Sequence, residues 1–148
     1  MATKSGGSPV LRLLTAAGLG VSAYVHIHLA SKYNGGSGLS QGLLFRIEGG
    51  VAILLALIVL ASGSRFLHFL AFLVAASALG AVLLYSYTNV GRLGPLPDMH
   101  DPAWFPQKAL SAAAEAVATL ASAALVVRSR SGGGGAKTPK RRFRQSAA

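Results

Sequence analysis

Residues 43–61 read LLFRIEGGVAILLALIVLA. From Gly49 to Ala61 there is no charge, no proline and no strongly polar side chain. At about 1.5 Å of rise per helical residue, the stretch covers roughly the 30 Å of a bilayer's hydrocarbon. It is a membrane helix with Arg46 and Glu48 set near its mouth. A glutamate inside a bilayer needs polar company from neighbouring helices, so the rest of the chain has to supply both further spans and partners.

The composition agrees. Of 148 residues, 52% are hydrophobic and 12% charged, against about 25% charged in soluble domains. The apolar residues fall in four blocks, at residues 10–30, 43–61, 66–87 and 109–127. The expected fold class is all-α: a polytopic membrane protein whose four transmembrane helices form an up-down bundle, followed by a basic C-terminal tail. With no cysteine in the chain, structural disulfides, thiol chemistry and Cys-ligated zinc or iron–sulfur centres are excluded. The net charge of +10 is a property of the tail: seven of the fourteen Lys and Arg residues follow Val127, against seven basic and four acidic residues in the remainder.

Residues 1–8 form a short polar lead, and Ser8-Pro9 is a good helix start, with Ser as N-cap and Pro at the first helical position. Lys4 and Arg12 ahead of an apolar run also fit a secretory signal, with Val21-Ser22-Ala23 as a cleavage site. An uncleaved signal-anchor is preferred, because the run is long enough to span and three more follow. Residues 31–42 are rich in turn formers. The link Ser62-Gly63-Ser64 is so short that the second and third helices must form an antiparallel hairpin. Phe66, Phe69 and Phe72 near one end of the third helix, and Tyr85 and Tyr87 at the other, match interfacial aromatic belts. The longest connection, residues 90–107, carries four prolines and the single Trp, and is expected to make an interfacial turn anchored by Trp104 and Phe105. The fourth helix is rich in Ala, Ser and Thr, which permits close backbone approach and predicts a central place in the packing.

With four spans both termini share a side. That side collects Lys4, Arg12, Arg65, Arg128, Arg130 and the cluster Lys137, Lys140, Arg141, Arg142 and Arg144; the other holds only Lys32, Arg46, Arg92 and Lys108. By the positive-inside rule both termini are cytoplasmic, and the membrane is the cell (inner) membrane. Residues 128–148, with their glycine run, are expected to be disordered in isolation. A basic tail tethered at a helix end meets anionic lipid headgroups, so no nucleic-acid partner is expected.

The chemistry lies in the few polar residues inside the spans. Successive helical residues turn by about 100°, so Tyr24 and His28 share a face with Ala17 and Gly20, the small-residue side expected to pack inward. His26 then points nearly the opposite way, and the two histidines cannot ligate one atom. Glu48 shares a face with Ala52 and Ala56, while Arg46 lies on the far side, free to snorkel or to fold over a carboxylate. In the fourth helix Leu110, Val117 and Leu120 form a lipid-facing stripe that turns Glu115 inward. Tyr24, His28, Arg46, Glu48 and Glu115 are therefore the candidate ligand-binding set. The same residues equally suit a hydrogen-bonded clasp that fixes helix register. His68 is expected at the surface beside Arg65. His100, between Asp98 and Asp101, is expected in a solvated loop rather than on a metal.

No Walker A sequence, dinucleotide fingerprint, Gly-x-Ser-x-Gly elbow or His-Glu-x-x-His is present, and no catalytic residue is assigned. The segment Ile47-Glu48-Gly49-Gly50, with Gly63-Ser64-Arg65 opening an Ala-rich third helix, resembles the second and third helices of the DoxX-like four-helix bacterial membrane proteins. The resemblance covers the middle third of the chain and carries over to Glu48 alone. Some DoxX-like proteins are linked to quinone-coupled or thiol-related redox complexes, so it implies a membrane-subunit role. Two functions are weighed. The first is a non-enzymatic accessory or interaction subunit of a membrane complex, with other membrane proteins as partners. The second is a redox or transport protein holding a quinone or small protonated molecule between Tyr24, His28, Glu48 and Glu115. Haem is the weaker variant, because His28 would need a second axial ligand from His26 or His68. The cofactor, if any, is unassigned.

Overall fold

The computed structural model describes residues 8–35 and 38–131. The expectations for residues 1–7 and for the tail from residue 132 lie outside the described residues. The described residues form four α-helices: α1 (Pro9–Ala30), α2 (Gln41–Ala61), α3 (Arg65–Tyr87) and α4 (Pro106–Ser131). All four are long and apolar enough to cross a bilayer. Among the described residues there is no strand, only an isolated bridge between Leu93 and Leu96. The fold is an all-α, four-helix bundle with the connectivity of a multi-pass membrane protein.

Each helix begins where its local chemistry allows. Pro9 opens α1, and the Arg12 amide closes the first turn on the Ser8 carbonyl. Ser40 caps α2 through its hydroxyl, which accepts from the Leu43 amide at 3.1 Å. This cap starts α2 ahead of Leu43, and a single 3-10 turn over Ser31–Tyr33 extends the end of α1. Helix α4 is longer than its apolar block at both ends. It starts at Pro106 and runs through Arg128 to Ser131, so the tail begins later than the sequence suggests. Pro106 suits the first helical position, and Gln107, Lys108, Arg128 and Arg130 favour helix, so the helix outruns its apolar block.

Helix α1 packs on α2 and α4, and α4 on α3, while α2 and α3 make the loosest of the four side-by-side contacts despite their three-residue link. The central seam is thus shared by α1 and α4. Its tightest point is Gly18, where an added Cβ would lie 2.6 Å from the Ala114 carbonyl oxygen and 2.9 Å from the Ala118 Cβ. Only glycine lets the two backbones come that close. The apolar core occupies the half of the bundle nearest the chain termini. There Leu19 and Ala23 meet Ala52, Leu55 and Val59 of α2, Ala71 and Ala75 of α3, and Ala118 of α4. Arg12 reaches across this end and donates Nε to the Val59 carbonyl at 2.8 Å and Nη2 to the Leu60 carbonyl. It thereby satisfies carbonyls that the last turn of α2 leaves without partners.

Candidate functional site

The small core residues stop about halfway along the bundle. Beyond them, toward the end that carries the longer loops, α2 and α3 stand on opposite sides of a cavity of about 380 Å³. Its wall is mostly apolar, with Val25, Leu29, Leu44, Val82 and Phe105 among the lining residues. The polar groups on it are His26 and Tyr33 from the α1 side, Gln41 and Glu48 from α2, Ser77 and Tyr85 from α3, and Asp101, Lys108 and Ser111 beyond. A concave, largely apolar space with a few convergent polar groups is the form small-molecule sites take, and this volume lies in their range.

The polar floor is built on the α1–α4 seam. Ser22 and Ser111 both donate hydroxyl hydrogen bonds to Glu115 Oε1, at 2.8 and 2.7 Å. His26 Nδ1 lies 2.9 Å from the Ser22 carbonyl oxygen and 3.9 Å from Glu115 Oε1. A carbonyl can only accept, so Nδ1 carries a proton and donates to it. The His26 ring also meets Phe45 edge to face at 5.0 Å, which ties α1 to α2. Glu115 is 1% exposed, and its Oε2 is buried with no hydrogen-bond partner among the described residues. Glu48 is half-buried, lies within electrostatic reach of His26 and Glu115, and makes no hydrogen bond or ion pair among the described residues.

Of residues 88–105, Met99, Asp101 and Phe105 border the cavity, and the loop is folded back onto the end of α3. The Asp101 amide and His100 Nδ1 both donate to the Tyr85 carbonyl, at 3.0 and 2.9 Å. Lys108 Nζ donates to the Asp101 and Ala103 carbonyls, and stands 5.3 Å from the centre of the Trp104 ring. Trp104 in turn leans on Tyr87 at 6.1 Å. His100 is thus a half-buried loop anchor. Among the described residues no three His, Asp or Glu side chains gather as a metal site.

The five sequence candidates are not brought together. Glu48 borders the cavity, and Glu115 stands behind His26 and Ser111, which border it. Arg46 is exposed and pairs with neither carboxylate among the described residues. Tyr24 and His28 stack on one another at 5.8 Å on the outer face of α1, with Tyr24 66% exposed. The expectation that they face inward is corrected: His26 is the buried histidine, at 8% exposure. The inward stripe of α1 is Thr15, Leu19, Ser22, His26 and Leu29, all buried, whereas Ala17 is exposed. Spacings of four and three along polar and large residues were the available signal, since polar groups inside a bilayer turn toward protein. Small size at Ala17 and Gly20 pointed the other way. His68 also departs from its expected place: it is fully buried, near Arg12 and Ser62, not at the surface beside Arg65. Tyr33, Tyr85 and Asp101, which line the cavity, were not among the sequence candidates.

The sequence matches no protein-family model, and no curated protein or solved structure is found to be similar to it.

Proposed function

We propose that this multi-pass membrane protein holds a small amphipathic molecule in the cavity between its four helices, with Glu48 and His26 receiving the polar head and Glu115 backing His26. The single observation that carries this reading is the placement of Glu48. An acidic side chain with no hydrogen-bond or ion-pair partner among the described residues borders a largely apolar space of ligand size at membrane depth, and ionisable residues in such positions mark ligand or ion sites. The asymmetry of basic residues supports a cell-membrane setting with both termini cytoplasmic, which would set the cavity in the outer half of the bundle. The basic tail then lies against the anionic cytoplasmic leaflet. The resemblance of Ile47 to Gly50 to DoxX-like proteins supports the same setting, and it extends to Glu48 alone.

The test is to extract the full-length protein directly into polymer-bounded native discs and to compare the small molecules recovered from wild type and Ala81→Phe. Ala81 borders the cavity, and the larger ring occupies it. A molecule enriched with wild type and depleted from the variant is expected. Identical extracts from two folded proteins refute the proposal.

An accessory role in a membrane complex is favoured by a different observation. The stacked pair Tyr24 and His28 lies on the outward face of α1, and polar side chains on such a face are suited to bonding across to another membrane helix. Co-purification of a partner from native membranes, lost in the double variant Tyr24→Leu, His28→Leu, tests it. The same partner yield with and without the pair counts against it.

A further inference from the structure

We infer that the head of the molecule in the cavity is an organic cation, an ammonium or phosphonium type of group on an apolar body. The inference rests on the cavity being a binding site and adds the charge of its occupant.

Three features combine. First, the charges facing the cavity are unbalanced. Glu48 and Asp101 border it and Glu115 stands behind Ser111 and His26, whereas Lys108 is the one Lys or Arg among the lining residues. Its ammonium is already held by two loop carbonyls and sits over the Trp104 ring. His26 is likewise occupied at Nδ1 by the Ser22 carbonyl. Secondly, a carboxyl group in apolar surroundings is neutralised either by a proton or by a cationic partner, because an isolated charge there is too costly. Glu48 has no cationic partner in contact among the described residues, and a ligand cation would take that place. Thirdly, aromatic rings form part of the wall. Tyr33, Phe45 and Tyr85 all border the cavity, and ring faces attract desolvated cations. Asp101, in the loop, puts a further negative charge at the mouth, where it raises the local concentration of cations.

Tetraphenylphosphonium and tetraphenylborate, nearly the same in shape and opposite in charge, are the probes, with duroquinone as the neutral comparison. Binding is measured by equilibrium dialysis on the full-length protein in phosphatidylcholine nanodiscs, after subtracting protein-free discs. Saturable tetraphenylphosphonium binding is expected, weakened about tenfold or more by Glu48→Gln, the loss of one charge-assisted contact. Ala81→Phe, and Ala78→Trp as a second blocking variant, should remove it, and tetraphenylborate should show no saturable binding. Unchanged affinity in a folded Glu48→Gln protein, or equal binding of the two ions, overturns the inference. Duroquinone binding that the blocking variants abolish, without any for tetraphenylphosphonium, overturns the cation and leaves the binding site standing. If blocking the cavity changes no probe's binding, both fall.

Discussion

Replacing Gly18 with alanine adds one methyl at the closest approach of α1 and α4. The new Cβ would lie 2.6 Å from the Ala114 carbonyl oxygen and 2.9 Å from the Ala118 Cβ. Ordinary separations are about 3.3 Å for carbon to oxygen and about 3.5 to 4.0 Å between carbons. Neither neighbour can rotate aside, since one is backbone and the other is fixed to it, so the helices must part by on the order of 0.5 to 1 Å. A gap of that size forfeits about a quarter to a half of the dispersion attraction along the seam. It also stretches the 2.8 Å bond from Ser22 to Glu115, an interhelical bond worth roughly 0.6 to 2 kcal/mol. Overpacking typically costs about 1 to 3 kcal/mol, and the helix propensity gained over glycine returns up to about 1 kcal/mol. The expected net loss is about 1 to 3 kcal/mol. Gly20 and Gly50 have nothing within 4 Å of an added Cβ, so Gly20→Ala and Gly50→Ala should be neutral or slightly stabilising. The assay is reversible unfolding in mixed micelles of rising dodecyl sulfate fraction, followed by far-ultraviolet circular dichroism. A Gly18→Ala protein as stable as Gly20→Ala would refute the close seam.

The same titration separates the two neighbouring histidines. His26→Leu should lose about 1 to 2 kcal/mol with the bond to Ser22 and the edge contact on Phe45, whereas His28→Leu, on the outer face, should stay within about 0.5 kcal/mol of wild type. Equal losses would mean that the face of α1 is misassigned. Arg12→Met keeps much of the apolar stem and removes both donors to the end of α2, for an expected loss of about 1 to 3 kcal/mol; hydrogen exchange at the Val59 to Ser62 amides should rise with it, and unchanged exchange would count against the cap.

The spans were legible because apolar runs the length of a bilayer have few other uses. The inward turn of Glu115 was legible as well, from the large residues opposite it: Leu110, Val117 and Leu120 are all exposed on the bundle surface. In α1 the small residues misled. Its interior is set by Gly18 against α4 and by the Ser22 to His26 stripe, and a small side chain at Ala17 only reaches the outer face. His68 departs from expectation for a related reason: its neighbour Arg12 comes from another helix, far away along the chain. The cavity could not be read from one strand of sequence at all. It lies where α2 and α3 line facing walls, beyond the cluster that gathers Ala52 and Ala56 with Ala71 and Ala75, and beside a loop that His100 holds on the Tyr85 carbonyl, fifteen residues away. Such contacts depend on how helices meet, which periodicity within one helix does not specify.

A bundle of four spans places the α2–α3 link and the α3–α4 loop on opposite faces of the membrane. The chain has no cysteine, so single cysteines can be introduced at Ser64 and Ala103, both exposed, and labelled with a membrane-impermeant maleimide in intact and permeabilised cells. Ala103→Cys should be labelled in intact cells and Ser64→Cys only after permeabilisation. Labelling of both from the same side would contradict a membrane-spanning bundle, and with it the cavity at Glu48.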